Sequence, residues 1–117
     1  MTLTLVVAAT LVCLLPRIAH GQHHDQAMRL EIDNDTVQVI RVHLNPHQKL
    51  PMHDVTPRVV VWLTDAHIRA TLPDGTVREE HGQPGQVDWV AAQRHAAENL
   101  DNHVVEFVAV IPKAHKP

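Results

Sequence analysis

Histidine is the residue type with chemistry to offer in this chain, at eleven positions out of 117. Imidazole titrates near neutrality, and its neutral nitrogen is a ligand for first-row metals, so proton transfer and metal binding are the two available reactions. The histidines are dispersed along the chain, which makes bulk metal handling the least favoured use. One local arrangement lies near the start. If the chain is cut after Gly21, its new end is Gln22-His23-His24, and an α-amine with histidine third in line can wrap a square-planar Cu(II) or Ni(II). Cyclisation of Gln22 removes that amine, and the competing role is a solvated arm. The single cysteine, Cys13, lies inside the apolar opening segment. Once that segment is removed, no disulfide framework or thiol nucleophile remains to propose.

The segment itself reads as a leader. Leu3 to Leu15 is apolar apart from threonine, Pro16 and Arg17 end the run, and Ala19-His20-Gly21 puts small residues where a signal peptidase reads them. The run is shorter than the roughly 20 residues of a membrane-spanning helix, so cleavage is expected after Gly21, with no stable membrane insertion afterwards. A secreted or periplasmic location follows. Roughly 96 residues remain, enough for one modest core and near the size at which a domain gains from a partner, so a homodimer is within expectation. The formal net charge of -3 has its signs interspersed, with no basic stripe for nucleic acid.

Residues 22–36 read as a flexible polar arm, and residues 37–112 as a single domain. Val37–Leu44, Arg58–Leu63 and His67–Leu72 have strand length and composition. Pro73-Asp74-Gly75 marks a hairpin back into Thr76–Glu80; Val87–Val90, Arg94–Asn99 and Val104–Ile111 complete the series. The alanines between Val90 and Leu100 also permit a helix, but strand signals flank them. Short strands separated by proline and glycine turns indicate an all-β sandwich or barrel. With no tyrosine and one phenylalanine, the core must be Val, Ile, Leu and Ala, with Trp62 and Trp89 expected to be buried in it. Arg41, Arg69 and Arg94 read as solvated strand positions rather than as contacts to an anion.

From about Val37 to Val110 the order of segments resembles the cupins, jelly-roll proteins with the signatures G-x5-H-x-H-x3-E-x6-G and G-x5-P-x-G-x2-H-x3-N. Gly85, the strand Val87–Val90 and His95-Ala-Ala-Glu-Asn99 follow the second, with Ala91 and Gln93 in place of its proline and glycine and the turn one residue short. Of the first signature only His53 stands, either as its first His, with Val55, Val59 and Ala66 where the family has His, Glu and Gly, or as its second His, with Arg58 at about the Glu position. The resemblance implies a single cupin-type jelly-roll β-sandwich or barrel. It also implies that His53 and His95 face one cavity, as two of the four positions that hold a divalent transition metal in metal-binding cupins. His43, Asp54, His67 and Gln93 are candidate substitute ligands. Asn99 is expected to tie down the loop after the His95 strand through side-chain to backbone bonds.

Two functions follow. The barrel binds a small polar or anionic molecule, with His53 and His95 as acid/base groups or as an incomplete metal site. Alternatively, the domain is a non-catalytic binding or interaction module of the cell envelope.

Overall fold

The computed structural model describes residues 27–114. The leader, its cleavage point, Cys13 and the Gln22-His23-His24 end lie outside the described residues. Within them the chain forms nine strands and no helix: β1 (Met28–Asp33), β2 (Val37–Leu44), β3 (Lys49–Val55), β4 (Arg58–Trp62), β5 (Ala66–Thr71), β6 (Val77–Gly82), β7 (Val87–Val90), β8 (Gln93–Asn99) and β9 (Val105–Pro112). All pairings are antiparallel.

The strands pair in a nested series. β5 pairs with β6, β4 with β7, β3 with β8 and β2 with β9. Successive pairs fall alternately in a four-stranded sheet, β3-β8-β5-β6, and a five-stranded one, β1-β2-β9-β4-β7. One long ribbon, closed at its centre by the β5–β6 hairpin, therefore folds over on itself into a two-sheet jelly roll. The hairpin is made where the sequence puts it. The Gly75 amide donates to the Leu72 carbonyl at 2.9 Å, the Asp74 carboxylate accepts from the Thr76 amide at 2.9 Å, and Gly75 takes a φ of 86° that a β-branched residue resists.

The side-chain period of two decides what meets the interior. Val42 and Leu44 of β2, Val60 and Trp62 of β4, Ala66 and Ile68 of β5, and Val105 of β9 form one buried cluster. Each fully buried Val, Leu or Ile contributes roughly 1.5–3 kcal/mol over its exposed state. Trp62 lies over Gly82, where an added Cβ would overlap the indole ring; β6 ends in glycine because only a bare backbone fits there.

Two strands lack a sequence signal, and one tryptophan departs from expectation. Met28–Asp33 is a strand where a flexible arm was expected over 22–36. It is an edge strand with every residue exposed, held by its ladder to β2 and by Glu31 between Arg29 and Arg41. β3 contains Pro51 and few β-branched residues, so its propensity is weak and its pairing with β8 supplies the order. Trp89 is 62% exposed and touches only the rim of the cavity, because Asp88 and Val90 are the half-buried positions of β7. Between Val90 and Leu100 the strand β8 forms and no helix does.

Candidate functional site

The two inward histidines owe their meeting to a defect in one strand. Leu50 of β3 stands opposite Ala97 of β8, and His53 stands opposite His95, so three steps along β3 match two along β8. The extra residue, a β-bulge at Pro51-Met52, reverses the parity of the strand. Without it, a strand with Leu50 inward would turn Met52 inward and His53 out. With it, Leu50, His53 and Val55 all line the interior.

The imidazoles of His53 and His95 then meet edge to face, with centroids 5.0 Å apart and planes at 78°. His53 Nδ1 donates to the Pro51 carbonyl at 2.8 Å, so the bulge also orients the ring, and its lone pair is left on Nε2. His95 Nδ1 is buried with no hydrogen-bond partner. Burial first, then the neighbouring His53, Arg78 and Arg58, pulls the pKa of His95 from the usual 6.5 to about 4. At neutral pH it is therefore an uncharged ring with one unsatisfied nitrogen.

The pair opens on a cavity of about 710 Å³ between the sheets. Much of its wall is apolar, from Ile40, Val42, Leu50, Val60, Ile68 and Phe107. Its polar groups include Arg58, Glu80, Asp88 and the two histidines. The guanidinium of Arg58 is braced by the Thr56 carbonyl at 2.8 Å and hydroxyl at 3.2 Å; burial lowers its pKa, yet a guanidinium stays charged. Asp88 accepts from Trp62 Nε1 at 2.8 Å and Gln86 Nε2 at 2.9 Å. Burial raises the pKa of Glu80, the nearby Asp88 carboxylate adding to the rise and Arg78 opposing it. Arg78 also bonds Gln93. Arg58 in the wall and the exposed Arg78 nearby thus act on His95 with positive charge, while Glu80 and Asp88 bring carboxylates to the same cavity. Arg58 carries no sequence signal of this, because an inward arginine and a solvated one look alike until the register is known.

Asn99 closes the far end of β8. Fully buried, its Nδ2 donates to the carbonyls of Leu44, Asn45 and His103 at 3.0–3.3 Å, and its Oδ1 accepts from the Asp101 amide at 2.9 Å. It ties the β8–β9 turn to the end of β2, as expected.

The other candidates lie outside the cavity wall or are spent. His43 bonds Glu106 at 2.8 Å and His67 bonds Glu79 at 3.1 Å, both at outward positions. Asp54 is paired with Arg94 at 2.9 Å and Arg41 with Glu31 at 3.0 Å, while Arg69 lies 3.9 Å from Glu79. Among the described residues, no third His, Cys, Asp or Glu converges with His53 and His95; the one such group of three is His67, Glu79 and His81 on the outer face. A firmly held catalytic ion asks for at least three protein ligands, and the arginines beside the pair oppose a cation. The cavity residues do not fit a resident metal.

Solved structures share this architecture. A cupin domain from Bordetella pertussis Tohama I superposes over 74% of this chain and 92% of its own, with a TM-score of 0.69 at 22% identity. The fold is that of the cupins. An RmlC-like cupin from Methanocaldococcus jannaschii, with a double-stranded β-helix fold, matches 78% of this chain and 84% of its own at TM-score 0.56 and 16% identity. The polyketide cyclase RemF from Streptomyces resistomycificus matches 77% of this chain and 66% of its own at TM-score 0.58 and 21% identity. At these identities the likeness extends to the cupin fold alone. No known family profile matches the chain, and no curated protein matches it.

Proposed function

We propose that this chain is an exported cupin-fold protein that binds a small anionic molecule in the cavity between its sheets, at His53, His95 and Arg58. The observation that carries this is the cross-strand histidine pair on a cavity of about 710 Å³, with a buried, unpartnered nitrogen on His95 and guanidinium charge beside it. A cavity of that size suits a small organic molecule, and an apolar wall with a few convergent polar groups is the usual form of such a site. A carboxylate or similar anion would meet Arg58, accept from the Nδ1–H tautomer of His95, and lay its carbon skeleton against Ile40, Val60 and Phe107. Neutral His95 also suits a proton-accepting role. The lack of a third metal ligand favours a second reading, a non-catalytic module of the cell envelope with the same cavity. The apolar run Leu3–Leu15 and Ala19-x-Gly21 support export.

Thermal unfolding against a panel of small carboxylic acids, neutral isosteres and amines tests the reading. Anions should raise the midpoint, and Arg58→Gln and His95→Gln should each abolish that rise. Equal shifts from the neutral isosteres, or no shift from any anion, would overturn it.

A further inference from the structure

The face of the β5–β6 hairpin turned away from the cavity carries a second group of chemistry-bearing side chains. His67 and His81 are directly opposed on β5 and β6, and their rings stack with centroids 4.3 Å apart and planes 20° from parallel. Glu79, two residues before His81 and so on the same face, reaches diagonally across, its Oε2 accepting from His67 Nε2 at 3.1 Å. One donor atom from each of the three lies within 4.8 Å of the other two. We propose that His67, Glu79 and His81 form a binding site for a first-row divalent cation such as Zn(II), distinct from the His53–His95 pair, with His81 also at the rim of the ligand cavity.

The donor set has the composition such an ion takes. Two imidazoles and one carboxylate are borderline-soft nitrogen and hard oxygen ligands, and three protein ligands leave one position for water. Ligand atoms on one tetrahedral ion at about 2.0–2.1 Å stand roughly 3.4 Å apart, so closure asks for about an ångström of movement, and for the stacked rings to turn until both nitrogens aim at one ion, from exposed or half-exposed side chains. An ion entering between His67 Nε2 and Glu79 Oε2 takes the place of the hydrogen now shared there, solvent carrying that proton to Nδ1 so that the ring stays neutral with its lone pair on Nε2. The supports are already placed. Arg69 lies 3.9 Å from Oε1, the other oxygen of Glu79, and can hold the carboxylate while Oε2 faces the ion. The backbone of His67 is fixed from two sides, its amide donating to Asp101 Oδ2 at 2.8 Å and its carbonyl accepting from the Leu100 amide at 2.9 Å. β6 is the edge of its sheet, so an ion bridging His67 and His81 would pin that edge to its neighbour.

The test is calorimetric titration of the full chain with Zn(II), alongside ¹⁵N-detected histidine ring resonances. All forms carry His23→Ala and His24→Ala, so that the N-terminal histidines contribute nothing. One ion per chain should bind, with the His67 and His81 ring signals moving. His67→Ala and His81→Ala should each weaken binding by about tenfold or more, Glu79→Gln should weaken it with the fold intact, and His53→Gln with His95→Gln should leave it unchanged. Absence of binding, binding untouched by the His67 and His81 substitutions, or loss in the His53/His95 form alone would overturn the proposal.

Discussion

His53 and His95 stand opposite each other across β3 and β8, 5.0 Å between ring centroids, because a bulge at Pro51-Met52 turns His53 to the face that His95 already occupies. Two imidazoles this close, beside Arg58 and Arg78, cannot both carry a proton cheaply in a half-buried site. The arrangement keeps His95 neutral, and an anion held by Arg58 would lie beside it.

Stability should therefore depend on pH through His95. Its folded pKa, about 4, lies below the usual 6.5, so between those values the unfolded chain binds a proton that the folded chain does not. Stability from this group is fully present above pH 6.5, falls as pH drops through the window, and levels off below about 4. With water reaching the half-buried ring, the loss should be about 1–2 kcal/mol. Denaturant unfolding at steps between pH 7 and 4, compared with His95→Gln, isolates it: the variant should show a shallower slope across that window, and identical slopes would remove His95 as the cause.

Gly82→Ala should be among the most damaging single-methyl additions. The new Cβ would lie 2.7 Å from Cγ and Cε3 of Trp62, and the indole cannot retreat without breaking its bond to Asp88. A cost of about 1–3 kcal/mol is expected from overpacking. Gly85→Ala makes a useful comparison, because a Cβ there meets nothing within 4 Å and the cost is only that of its φ of 84°, about 1 kcal/mol. Thermal midpoints of the two variants should rank in that order.

Asn99→Ala should cost about 2–4 kcal/mol, since it strips partners from three carbonyls and the Asp101 amide at a fully buried position. Asn99→Asp should be no milder. It keeps the acceptor for Asp101 but replaces the donating amide with an oxygen facing three carbonyls. Chemical denaturation checks both, and an aspartate variant as stable as the parent would show that the amide donors are dispensable.

Much of this fold is legible in the sequence, for local reasons. Val37–Leu44 matches β2 residue for residue, and the Asp74-Gly75 hairpin fixes its own strands, because β-branched runs and a turn glycine act within a few residues. The facing of His53 and His95 came from family spacing. What stayed hidden depends on register. Alternation could not show that Trp89 faces out or that Arg58 faces in without knowing which residues of β4 and β7 pair. β1 hides because an all-exposed edge strand carries no apolar period. The outer His67–Glu79–His81 group was missed for the same reason: two of its members are 14 positions apart, and only the β5–β6 register makes them neighbours.

The electrostatics of the histidine pair can be taken apart by titrating His95 itself. Burial is the leading cause of its low pKa, and the nearby His53 comes next, ahead of Arg78 and Arg58. His53→Gln keeps a polar side chain of similar bulk against the Pro51 carbonyl while removing a titratable partner, so desolvation of His95 persists and one opposing charge is gone. The His95 pKa, about 4 in the parent, should rise in the variant and still stay below 6.5, the value of a free imidazole. Ring-proton or ¹⁵N shifts of His95 followed from pH 8 to 3 give both numbers directly. No change would mean that His53 exerts no field on its neighbour and that the two rings do not share one site. A rise all the way to 6.5 would mean that burial is not the main cause, and that the cavity end is wetter than its walls imply.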